Sequence, residues 1–246
     1  MLRTLFAAVL VVMSATVFAQ AGTWTGYYGG LSVGGRWVDA DWTTQSVAGF
    51  AVDTTTYKDS YDSSTARLGG FLGHNWQVAP NWLAGVEASL DYGDNKETRP
   101  GIPGTHGPLI ASPTPAALAN DKTWVRATWD ASLRGRIGTL VNPSTLIYLT
   151  GGLAAQRLEV GASCTGIAGW CVAARSETSS SWRSGWTLGG GAEWGADKDW
   201  RWRAEYSYAN LGSKGASFFP GTVDAVTADV KVRTHSAVIG FVYRFK

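Results

Sequence analysis

The side chains able to do chemistry are few and widely spaced. The 246 residues contain three histidines, His74, His106 and His235, and two cysteines, Cys164 and Cys171. His235 directly precedes Ser236, and a serine–histidine pair acting as nucleophile and base must come within hydrogen-bond reach. Adjacent residues of an extended strand point to opposite faces, so this pair cannot meet without a bulge. His74 sits on the apolar side of an alternating segment, His106 lies among prolines, and the three histidines share no metal-ligand spacing. No phosphate-binding glycine loop is present; GGGAEWG (Gly189–Gly195) reads as strand glycines that permit close packing. No catalytic residue, metal or cofactor is assigned, and the chain is not expected to be an enzyme.

The cysteines lie in CTGIAGWC, and what they do depends on where the chain goes. Arg3 supplies a positive start, Leu5 to Phe18 is an apolar run, and Ala19-Gln20-Ala21 is a small-x-small cleavage site. Residues 1–21 therefore read as a secretory signal peptide and 22–246 as one domain. Secretion implies an oxidising compartment, so a Cys164–Cys171 disulfide is the favoured reading, of a structural kind. Removing Arg3 leaves 20 basic against 19 acidic residues. That balance argues against nucleic acid as a partner. Thirteen Trp and 31 Gly with only 16% charged residues are unusual for a soluble domain. No later apolar run approaches helix-spanning length, so a membrane role would have to be built from strands.

The remaining charges follow a period of two. In WLAGVEASLDY, Trp82, Val86, Leu90 and Tyr92 oppose Glu87, Ser89 and Asp91. In RWRAEYSY, Trp202, Tyr206 and Tyr208 oppose Arg201, Arg203 and Glu205. In TWVRATWDASLRGRIGTLV, one face carries Val125, Ala127, Trp129, Leu133 and Ile137. The other carries Arg126, Thr128, Asp130, Ser132, Arg134 and Arg136. Eight such segments are expected: Tyr27–Asp41, Ser64–Val78, Trp82–Gly93, Thr123–Val141, Leu146–Gly161, Trp182–Ala196, Arg201–Asn210 and Asp229–Phe245. All eight prolines fall between them, as a residue with no donor for the ladder requires.

The connections alternate in length. Ala79–Asn81, Asn142–Thr145 and Asp197–Trp200 are tight, whereas Trp42–Ser63, Asp94–Lys122, Ala162–Ser181 and Leu211–Ala228 are long. Short turns at one end and long loops at the other, over an even number of antiparallel strands, form the pattern of an outer-membrane β-barrel. The alternative is a soluble sandwich or lipocalin-like barrel, since alternation alone does not say which face points inward. Strands of ~10 residues or more favour the membrane, because soluble strands average ~5–6. So does a polar face on which Arg36, Arg67, Arg126, Arg134, Arg136 and Arg203 are interspersed with Glu87, Asp91, Asp130, Glu193 and Glu205. Opposite charges among small residues suit a narrow lumen in which side chains pair across the axis. Trp24, Trp37, Trp76, Trp82, Trp182, Trp194, Trp200 and Trp202 lie near strand ends, where interfacial aromatic girdles are expected.

WTGYYGGLSVGGRW (Trp24–Trp37) after a signal peptide, YLTGGLA (Tyr148–Ala154) and the closing GFVYRF (Gly240–Phe245) resemble a known group. It is the porin-like surface-antigen family of alphaproteobacteria, whose fold is similar to the barrel domain of outer-membrane protein A. The resemblance spans nearly the whole mature chain. It implies an all-β, eight-stranded, antiparallel up-and-down transmembrane barrel with short periplasmic turns and four long extracellular loops. It also implies that the last strand, with Gly240, Tyr243 and Phe245, is an insertion signal read by assembly machinery, although Lys246 follows the usual last aromatic.

Implied partners are outer-membrane lipid and lipopolysaccharide, periplasmic chaperones and the barrel-assembly machinery, with host or matrix molecules at the loops. Phe50, Tyr57, Tyr61, Trp170, Phe218 and Phe219 are the loop aromatics available for such contacts. Three functions stay open: a structural envelope component and surface antigen, a narrow porin or channel for small solutes, and a surface binding protein acting as adhesin or haemin receptor. The eleven charged residues of the polar face read first as structural pairing within the lumen.

Overall fold

The computed structural model describes residues 24–55, 57–105, 120–167, 170–195 and 199–245. The signal-peptide segment, His106, Pro108, Pro113, Pro115, the first half of the Asp197–Trp200 turn and Lys246 lie outside them. The described residues form β1 (Gly26–Val47), β2 (Phe50–Ala51), β3 (Lys58–Ala79), β4 (Trp82–Pro100), β5 (Lys122–Asn142), β6 (Thr145–Cys164), β7 (Arg175–Trp194), β8 (Trp200–Phe218) and β9 (Val226–Arg244). Eight are long, as expected. The ninth, β2, is a two-residue pairing that curls the first extracellular loop back onto the end of β1.

Each long strand pairs antiparallel with its chain neighbour, and β1 also pairs with β9, closing the ring. Ring closure is what ties down the apolar carboxy-terminal strand: Phe241 lies opposite Leu31 and Ile239 opposite Val33. It also removes the sheet edges that would otherwise template aggregation. A register walk fixes the barrel's shape. From Ser184 on β7 it runs through Ala155, Ala131, Leu90, Gly70, Leu31, Phe241 and Trp202 and returns to β7 at Trp194. A stagger of ten residues over eight strands, at strand spacings of ~4.8 Å and rises of ~3.3 Å, tilts the strands by about 41°.

The strands run 19 to 22 residues, about twice the ~9–11 that cross a bilayer. Half of the barrel therefore stands outside the membrane, and the two halves are built on opposite logic. In the half nearest the termini, Leu31, Leu72, Leu133, Leu149, Leu153 and Ile239 point outward and are exposed. In the other half the apolar side chains turn inward. Val226, Ala228, Val230 and Val232 of β9 are buried together with Val38, Trp42, Tyr61 and Phe218. Trp42 stacks on Phe218 with ring centroids 5.3 Å apart. The long loops are accordingly shorter than expected, because their flanks continue as strand.

The aromatic belts follow the outer wall. Trp76, Trp82, Trp194, Trp200 and Trp202 mark one edge of the apolar band, and Trp37, Trp129, Trp182 and Trp186 the other, all exposed. His74 stays on this wall with its ring 4.5 Å from those of Tyr27 and Trp76. Trp24, expected in the same belt, is instead buried. It turns into the periplasmic mouth, donates from Nε1 to the Pro143 carbonyl at 3.2 Å and lies 3.7 Å beneath the Arg201 guanidinium.

The β7–β8 ladder ends at Trp186 opposite Asn210, although both strands continue beyond. Farther up, the Phe219 backbone N–H donates to the Glu177 carboxylate.

Candidate functional site

The lumen is where the charged side chains converge. Near the periplasmic end, three carboxylates and three guanidiniums interlock, supplied by β4, β5, β7 and β8. Glu87 accepts from Arg134 at 2.6 Å and Arg203 at 2.7 Å. Glu193 accepts from Arg136 at 2.8 Å and Arg203 at 2.7 Å. Glu205 accepts from Arg134 at 2.5 Å. Two tyrosines complete the shell: Tyr28 of β1 donates to Glu87 at 2.9 Å and Tyr148 of β6 to Glu205 at 2.7 Å. The Arg136 and Arg203 guanidiniums lie 4.0 Å from the ring centroids of Tyr148 and Phe71. Matched charge is what makes this burial tolerable, since an unpaired ion here would carry its full desolvation penalty.

A second cluster sits above the first. Arg67 pairs with Asp91 at 2.6 Å and Asp130 at 3.3 Å, and Arg36 pairs with Asp130 at 2.5 Å. Arg36 is fully buried and has a further task. The ladders slip between Tyr92 and Asn95 on β4 and between Ala127 and Asp130 on β5. Bulges leave backbone groups unpaired. From across the lumen the Arg36 guanidinium donates to the Gly93, Ala127 and Thr128 carbonyls at 2.5, 2.9 and 2.7 Å, and to Asn95 Oδ1 at 2.7 Å. One side chain thus satisfies both irregularities.

The bulge on β5 also corrects one assignment. Of the eleven charged residues expected in the lumen, ten are brought inside, and Arg126 is not. Ala127 and Thr128 are both buried, so the alternation changes phase between them. Val125 and Ala127 face the interior, while Arg126 faces out and bonds Asp94 at 2.7 Å and Glu159 at 3.4 Å. Unbroken alternation through TWVRATWDASL hides this slip. Tyr28, Tyr148 and Asn95 were missed because tyrosine reads as a girdle residue and asparagine as a loop one. The phase of Leu31 and Val33 was the signal that places Tyr28 inward.

Between the clusters a cavity of about 40 Å³ remains, lined by Arg67, Asp91, Asp130, Arg134, Gln156 and Thr187 among others. A water needs roughly 10–15 Å³ on this measure, so the space suits a few waters and no solute. Above it the apolar interior of the extracellular half closes the barrel again. Of the loop aromatics expected to face outward, Tyr61, Trp170, Phe218 and Phe219 are buried in this dome and Phe50 is exposed. Tying each aromatic into the strand extensions removes it from water, worth ~1.5–3 kcal/mol per large side chain. Two buried carboxylates stitch the loops over it. Asp121 accepts from Thr165 N at 2.8 Å and Trp170 Nε1 at 2.8 Å. Asp224 accepts from Val172 N at 3.1 Å and Arg175 Nε at 3.0 Å. The Cys164–Cys171 disulfide closes the same loop.

His235 and Ser236 do separate, as strand geometry requires. Ser236 is buried inside, whereas His235 Nδ1 pairs with Tyr206 Oη at 2.6 Å on the outer wall. Among the described residues no group of three His, Cys, Asp or Glu could hold a metal ion.

A family model described as "Outer membrane protein beta-barrel domain" matches residues 5–245. The 31 kDa outer-membrane immunogenic protein of Brucella melitensis is 27% identical over 186 residues, covering 72% of this chain and 67% of that protein. The 25 kDa outer-membrane immunogenic protein of Brucella abortus is 26% identical over 223 residues, covering 91% and 80%. The crystal structure of OprG from Pseudomonas aeruginosa superposes with a TM-score of 0.57 at 16% identity, over 92% of this chain and 98% of that one. The last likeness concerns the fold alone.

Proposed function

The chain belongs to the outer membrane protein beta-barrel domain family, and from that premise we propose that it is a closed, structural outer-membrane barrel whose loops act as a surface antigen. The observation that carries this reading is the double closure of the lumen. An ionic plug fills the membrane half and an apolar dome fills the extracellular half, with a cavity of about 40 Å³ between them. A diffusion pathway would need both to move. Removing one charge from the plug would strand its partner in low dielectric, at ~3–5 kcal/mol. The names of the Brucella relatives support the antigen reading. The outward Tyr206–His235 pairing supports a non-catalytic barrel, because it places the imidazole on the opposite side of the wall from the buried Ser236 hydroxyl.

The remaining partners follow from the architecture. Bilayer lipid and lipopolysaccharide would cover the exposed apolar band. Chaperones and assembly machinery would read the β9 end at Gly240, Tyr243 and Phe245, and host or matrix molecules would meet the exposed loop surface. Single-channel recording of the refolded chain in planar bilayers tests closure. A silent membrane at physiological voltages is the expected result, and a reproducible open state would overturn it in favour of a narrow channel.

A further inference from the structure

A recess that the lumen does not use lies on the outer wall of the extracellular half. It measures about 780 Å³ and is open to solvent, within the range of ligand-sized sites. Four strands form its floor. In one row Ser60 of β3, Asp41 of β1, Lys231 of β9 and Ser213 of β8 stand side by side; in the next stand Lys58, Thr43 and Asp229. The first loop overhangs it through Thr54, held back by hydrogen bonds from Val52 N to Gln45 O and from Thr44 N to Tyr57 O.

The acids here are engaged by neighbours. Asp41 pairs with Arg233 at 2.5 Å, Asp229 accepts from Gln45 at 2.9 Å, and Asp59 accepts from the Ser60 backbone N–H at 2.8 Å. The bases are not: no ion pair or hydrogen bond among the described residues engages the ammonium groups of Lys58 or Lys231. The recess therefore offers two free cations, hydroxyls from Thr43, Thr54, Ser60 and Ser213, and oriented acceptors.

Height decides what can reach it. Lys231 lies four residues beyond His235, which is level with Trp37 in the outer aromatic belt. At ~2.5 Å of axial rise per tilted residue, the floor begins about 10 Å above His235. That is past the acyl chains and within the layer of headgroup sugars. We propose that this recess binds a phosphorylated saccharide, the polar core of an outer-leaflet glycolipid, with Lys58 and Lys231 on the anionic groups and the hydroxyls and acids on the sugar. The assignment rests on the reading of the chain as an outer-membrane barrel.

The test uses the full chain in nanodiscs, with two probes. One is purified lipopolysaccharide in the disc, read by native mass spectrometry; the other is its lipid-free phosphorylated core oligosaccharide, read by calorimetry. The Lys58→Glu/Lys231→Glu double variant should lower retention or affinity at least ten-fold, whereas Lys122→Glu, exposed on the same half, should change it less than two-fold. Loss for the disc probe alone assigns the site to the membrane's own glycolipid; loss for both extends it to soluble saccharide. Equal binding by wild type and double variant, an equal loss with Lys122→Glu, or equal affinity for the dephosphorylated oligosaccharide would each overturn the proposal. Unchanged heat-dependent gel mobility confirms that the variants remain folded barrels.

Discussion

Arg36 offers the sharpest test of how the barrel is held. It serves five acceptors: the Asp130 carboxylate, Asn95 Oδ1 and the carbonyls of Gly93, Ala127 and Thr128. Arg36→Met keeps the volume and removes every donor. Asp130 would retain Arg67 at 3.3 Å, so its charge is not wholly orphaned. The two bulges interrupt the ladders at these carbonyls. Each unsatisfied buried group costs ~1–3 kcal/mol, and waters in the adjacent cavity can reach some of them. A net loss of ~3–5 kcal/mol is expected, the range found when one partner of a buried ion pair is removed. Arg36→Lys supplies three donors from a point charge instead of five from a planar fork, so about half the loss should return. Urea unfolding in lipid vesicles, followed by tryptophan emission, measures both, and hydrogen exchange at residues 93–95 and 127–130 localises the effect. A Met variant within ~1 kcal/mol of wild type, or Lys and Met variants of equal stability, would refute the claim that this guanidinium secures the bulges.

Further outcomes follow from the same geometry. Arginine substituted for Leu133, at mid-height on the lipid face, should cost ~2–4 kcal/mol, whereas Trp182→Arg at the outer belt should cost ~0–1; vesicle unfolding compares them. Burial pushes the Tyr61 phenol well above its usual range. A raised acid contributes its full stability below the unfolded pKa of ~10 and loses it as pH rises beyond, so the dome should loosen in alkali. Tyr61→Phe should delay that loosening, as read by hydrogen exchange of the dome strands. Deleting Thr128 removes the extra residue on β5 and should restore plain alternation with Ala127 inside and Arg126 still outside. Arg126→Cys should therefore react with a membrane-impermeant maleimide in both the parent chain and the deletion, and protection in either would refute the placement.

The membrane half was legible because its physics is local. Where one face meets lipid, every second residue must be apolar, and WLAGVEASLDY and RWRAEYSY obey that rule without interruption. The ring of ten inward charges follows from the same parity. The extracellular half was harder to read for two distinct reasons. On β5 the alternation reads as continuous because an inserted residue changes the facing of Val125 and Ala127 without changing their spelling; only a partner strand reveals a bulge. On β9 the information was present. Val226, Ala228, Val230 and Val232 occupy even positions, while Ile239, Phe241, Tyr243 and Phe245 occupy odd ones. With no register shift on this strand against β1 between Thr44 and Arg244's partner Tyr28, apolar residues of opposite parity must face opposite sides. The chain passes from a medium where the outside is oil to one where the outside is water, and the apolar set crosses the wall at that boundary. The soluble-barrel and membrane-barrel readings of the alternation are thus each correct for one half of the same strands. That is why Tyr61, Trp170, Phe218 and Phe219 are interior groups although they fall in segments that read as loops. It is also why the outer wall above the belt is free to carry Asp41, Lys58, Asp229 and Lys231.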